Sequence, residues 1–67
     1  MSIVEAHVTI NSNPDTAHIG RYTVQTFRDG RPGPIKVTAE PAELVRQLTA
    51  KGLEHGVFVE LVDNTGE

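Results

Sequence analysis

Only one segment of this chain has the apolar spacing of a helix, whereas four have the alternation of strands. The last of the four, Gly56–Asp63, reads GVFVELVD. As a strand it places Val57, Val59 and Leu61 on one side and Phe58, Glu60 and Val62 on the other. One helix can shelter one face of a sheet. A final strand that is apolar on both faces therefore leaves oily surface over.

The other segments follow the same logic. IVEAHVTI, residues 3 to 10, alternates Val4, Ala6, Val8 and Ile10 against Ile3, Glu5, His7 and Thr9. Pro14 and Asp15 suit the centre of a turn and end that strand. From Ile19 to Arg28, Tyr22, Val24 and Thr26 oppose Arg21, Thr23, Gln25 and Phe27. DGRPGP, residues 29 to 34, reads as a turn, because its prolines lack a donor and its glycines accept positive φ. A third strand, IKVTA, then directs Ile35, Val37 and Ala39 to one face and Lys36 and Thr38 to the other.

Pro41 fits the first position of a helix, and Glu40 and Glu43 complement its dipole. Leu44, Val45 and Leu48 form the apolar stripe of a helix of about eleven residues. Gly52 is expected as its left-handed stop, with Leu53 packing back on Leu48. The order is β-β-β-α-β, an α+β two-layer sandwich with one helix on one face of a mostly antiparallel four-stranded sheet. A right-handed crossover favours strand order 3-2-1-4 over pairing of strand four with strand three. Residues 1–62 are expected as one domain and 63–67 as a frayed tail.

Composition narrows the classes of function. With 67 residues and no cysteine, the chain has room for one small core and has neither disulfides nor thiolate metal sites. MSIVEAHV lacks the features of a signal peptide, and no apolar run approaches membrane-spanning length, so a soluble, cytoplasmic protein is expected. The net charge of −3 is unevenly spread. Ile19 to Thr38 carries Arg21, Arg28, Arg31 and Lys36 against Asp29 alone, while the remainder is acidic. A two-sided charge distribution follows.

The uncovered sheet face is the leading site. Phe58 and Phe27 serve as anchors with Ile3 and Val62, and Arg21, Lys36 and Glu60 orient a partner around them. A basic hairpin bearing Arg28 and Arg31 is a second candidate, for carboxylates or phosphates. Glu5, His7 and Glu60 fall on one face and are the one trio with metal-ligand chemistry. No cofactor or nucleophile motif is present. In element order alone the chain resembles the opening half of RNase H-like folds and their shortened form in HicB-type antitoxins. The usual sequence pattern of those antitoxins is absent.

The expectation is a small non-enzymatic protein-binding regulator or inhibitor, of the kind that phages encode as anti-CRISPR proteins. It docks through the bare sheet face onto another protein or a second copy of itself. The alternatives are a single-stranded nucleic-acid binder on the same face and a small metal-dependent enzyme or carrier.

Overall fold

The computed structural model describes residues 2–66. Four strands and one helix follow in the order β1 (Ser2–Ile10), β2 (Tyr22–Arg28), β3 (Arg31–Thr38), α1 (Pro41–Glu54) and β4 (Val57–Asp63). They form one mixed sheet in the order β3-β2-β1-β4, antiparallel except for the β1–β4 pair. The helix is thus the crossover that brings β4 parallel to β1, as the sequence predicts. No helix among the described residues is long and apolar enough to cross a membrane.

The core sits where α1 crosses the middle of the sheet. Ala6, Val8, Val24 and Val45 are buried, and Tyr22, Leu44, Leu48 and Val59 pack partly against them. Ala6 has no exposure at all, which places the helix directly over the smallest side chain of β1. The cover is incomplete. Ile10 and Leu61 point to the helix side, as expected, yet both remain substantially exposed.

β3 departs from the sequence reading. Asp29 and Gly30 both have positive φ, and Arg28 pairs with Arg31, so the turn is a tight two-residue connection. β3 therefore begins at Arg31 instead of after Pro34. Between Gln25 and Phe27 the register then shifts by one, with Gly33 and Pro34 opposite Thr26. This is a β-bulge. A Cβ on Gly33 would stand 2.7 Å from the Thr26 hydroxyl, so only glycine fits this close approach. The Gln25 amide donates to the Gly33 carbonyl at 3.0 Å.

Side chains alternate along a strand, so one extra residue reverses every face beyond it. Val24 pairs with Lys36 and Thr23 with Val37. Ile35 and Val37, expected under the helix, lie on the open face. Lys36, expected on the open face, lies on the helix side, along a cleft with Val24, Leu44 and Leu48. Thr38 shares that side, and its hydroxyl accepts the Glu40 N–H at 2.9 Å just before the helix starts.

The helix end also differs. Helical geometry continues through Gly52 to Glu54, and the left-handed residue is Gly56, with φ of 69°. Gly52 is required for contact instead: a Cβ there would meet the Val57 carbonyl at 2.9 Å and Val59 Cγ2 at 3.0 Å. Leu53 does not fold back on Leu48 but is 63 % exposed. The tail expected to fray from residue 63 is held through Thr65. Asp63 Oδ1 accepts the Thr65 N–H at 3.0 Å and its hydroxyl at 2.7 Å, and the Asn64 N–H donates to the Val8 carbonyl at 2.8 Å.

Three outcomes follow from this packing. Cross-strand nuclear Overhauser contacts will link Thr23 to Val37 and Val24 to Lys36, and a Val24–Ile35 pair in their place would remove the bulge. Gly52→Ala will destabilise the fold by about 1–2 kcal/mol in urea unfolding, because the clash outweighs alanine's better helix propensity. The Thr65 donors hold the Asp63 carboxyl below its ordinary range. A depressed folded pKa means that its stabilising contribution is complete above the ordinary aspartate range and is lost as pH falls through the depressed value. Thr65→Val will move the Asp63 titration upward, read by carboxyl NMR.

Candidate interaction face

Strand pairing fixes which side chains share the face opposite α1. Ile3 lies beside Phe58 at one corner. Glu5 lies between Phe27 and Glu60, and His7 lies between Gln25 and Val62. Thr9 stands against Thr23, and their hydroxyls hydrogen-bond across the strands. Ile35 continues the row beyond Gln25, and Val37 continues the row beyond Thr23.

Apolar side chains from all four strands therefore reach this face. Ile3 is 57 % exposed, Phe58 54 % and Ile35 61 %. The His7 and Phe27 rings pack at a tilt with centroids 4.5 Å apart, which half-buries both. Large exposed aliphatic and aromatic groups gathered on one surface are unusual in a chain with so small a core. The four anchors expected from the sequence, Phe58, Phe27, Ile3 and Val62, are all here. Ile35 and Val37 join them because of the bulge. Gly33 inside a strand is the sequence signal that reveals them.

The expected cations do not surround this patch. Lys36 is on the helix side. Arg21 precedes β2, and its guanidinium carbon lies 5.9 Å from the centroid of the Tyr22 ring. Arg28 and Arg31 project at the opposite end of β2 from Arg21, on the helix side of the sheet, and Arg28 donates to the Ser2 hydroxyl at 3.2 Å. The sequence-local positive balance thus divides among three places and forms no basic face. No strand contributes a lysine or arginine to the open face, and the charges it does carry are Glu5 and Glu60.

His7 is the polar centre of the face. The Asn64 amide lies 3.3 Å from Nδ1, where it can donate only if that nitrogen is unprotonated. Nε2 then carries the hydrogen and faces Glu5 Oε1 at 3.6 Å, longer than a hydrogen bond. Nε2 is buried and has no hydrogen-bond partner. Glu5 and Glu60 are lateral neighbours across β1 and β4. Even so, no group of three metal-ligating side chains converges among the described residues.

Compared with protein-family models, curated proteins and solved structures, the chain gives no significant match, so no relative supplies a role for these side chains.

Proposed function

We propose that this chain is a small protein-binding module, a regulator or inhibitor without catalytic activity of its own, that docks through the open face of its sheet. The observation that carries the reading is the Ile3–Phe58 corner. Two large apolar side chains stand side by side more than half exposed, and the Phe27–His7 pair and Ile35 extend the surface across the sheet. Such a surface combines exposed apolar anchors with a few polar groups, as protein interfaces do. Glu5 and Glu60 lie within it and favour a partner that brings lysine or arginine beside an apolar patch.

The same charges weigh against the nucleic-acid alternative. Bases could stack on Phe27 and Phe58, but phosphates would meet two carboxylates and no cation from the strands. The acidic net charge adds to that repulsion.

Affinity capture from a native lysate tests the proposal. Phe58→Ala will weaken capture of the specific partner at least about tenfold, as expected for the loss of a large aromatic anchor. Leu53→Ala, on the exposed side of α1, will leave capture unchanged, and circular dichroism will be the same for both. Equal capture by the two variants would refute docking through this face. Salt-sensitive retention of single-stranded oligonucleotides would favour the nucleic-acid alternative.

A further inference from the structure

The two edges of the sheet are built differently. β3 carries Pro32 and Pro34, a bulge, Arg31 and Lys36, all features that prevent another strand from pairing alongside. β4 has none of them. Its seven residues contain no proline, glycine, lysine or arginine, and its pairing with β1 runs unbroken from Val57 to Asp63. Among the described residues, no element lies beyond it in the sheet.

The phase of the free edge is fixed by one hydrogen bond. The Asn64 N–H donates to the Val8 carbonyl at 2.8 Å. Backbone groups of successive strand residues point to alternate sides, so Phe58, Glu60 and Val62 address β1. Val57, Val59, Leu61 and Asp63 then turn their N–H and C=O groups outward, where an added strand would find them. Side chains flanking this edge are exposed on both faces of the sheet: Phe58 on the open side, and Leu61, 57 % exposed, on the helix side.

We propose that β4 pairs antiparallel with β4 of a second copy, joining two sheets into one of eight strands about a twofold axis at Glu60. This register uses every outward group of the strand and forms about eight inter-chain backbone hydrogen bonds. On the open face it sets Phe58 against the partner subunit's Val62. On the helix face it sets Val59 against the partner subunit's Leu61. Symmetry repeats both contacts, so the side chains left exposed on β4 cover one another. The occupant is a second copy because the middle of this strand complements itself on both faces, with Val57 set against the partner subunit's Asp63 at each end. The protomer also has the deficit that self-association corrects, since none of the described large side chains is fully buried.

One contact opposes the pairing. Glu60 meets the partner subunit's Glu60 at the axis, where opposite side chains are closest, and Glu5 of β1 lies beside it in each copy. Glu60 therefore keeps the association reversible. The dimer does not depend on docking through the open face, but it draws Phe58 against the partner subunit's Val62, so a second copy and a docked protein compete for that side chain.

Analytical ultracentrifugation over a protein concentration series at neutral pH tests the pairing. The wild type will show a concentration-dependent monomer–dimer equilibrium. Glu60→Gln will tighten it about two- to fivefold by removing the like-charge contact. Leu61→Pro, which removes an outward donor that β1 does not use, will be monomeric with unchanged strand content by circular dichroism. Ile35→Lys, on the far strand, will leave the equilibrium unaltered. A dissociation constant unmoved by Glu60→Gln, or monomers throughout in both proteins, would overturn the proposal. A dimer dissolved by Ile35→Lys would also overturn it, placing the contact on the open face.

Discussion

A single fourteen-residue helix has to cover a four-stranded sheet, and Val45 is the one helix side chain that becomes buried beneath it. The geometry of that contact governs the rest of the molecule. α1 reaches the sheet over Ala6, whose lack of bulk lets Val45 and Val24 approach, and over Val8 beside it. At its C-terminal end the helix comes so near β4 that position 52 has no room for a side chain. The helix is therefore fixed over β1 and the start of β4. Ile10, at the end of the sheltered face, and Leu61, on the edge strand across a cleft from Pro41 and Ala42, stay substantially exposed. Burial of about 25 cal/mol per Å² falls to few residues here, which keeps the margin of stability small.

The bulge at Gly33–Pro34 determines what the second face is made of. Straight pairing from the Asp29–Gly30 turn would have brought Ile35 beside Val24 and given the helix two more aliphatic side chains to cover. The inserted residue sends Ile35 and Val37 to the other side and puts Lys36 where its aliphatic stem can line the cleft beside Leu44 and Leu48. Apolar surface is thus withdrawn from a core that is already small and placed on a face that no element of the protomer covers. A fold selected only for stability of the monomer gains nothing from this arrangement. It is intelligible if the open face has its own use, which is the ground for the proposed docking role.

Much of this was legible in the sequence because period-two alternation is a strong signal where strands are long and uninterrupted. β1, β2 and β4 carry it, so their faces, the helix between Pro41 and Lys51 and the strand order were all readable. Phe58, Phe27, Ile3 and Val62 follow directly from that alternation. β3 was not readable in the same way. Alternation fixes which residues share a face but not which face it is; that depends on register, and register depends on backbone conformation at Gly33 and Pro34. Gly52 shows a related ambiguity. A glycine near a helix end signals either positive φ or close packing, and the sequence does not distinguish the two. The cations were misplaced for a simpler reason: nearness along the chain does not gather them, since β2 separates Arg21 from Arg28 by its full length and the bulge sends Lys36 to the helix side, away from the apolar patch.

The two edges express the same division between what is protected and what is offered. On β3 the residues that shift the register also block the edge, since Pro32 and Pro34 cannot donate to a further strand and the bulge bends the line of acceptors. On β4 a regular edge coexists with apolar side chains on both faces, and its charges are Asp63 at its end and Glu60 at its middle. A lysine there could reach Glu5 across the strand pair and would leave the edge no less polar. A carboxylate beside another carboxylate instead creates a local repulsion that only a second approaching strand makes worse. The placement of Glu60 limits how strongly β4 attracts another strand without removing the backbone groups that do the attracting. That combination suits an edge that is meant to be occupied reversibly, and it separates β4 from β3, where pairing is prevented altogether.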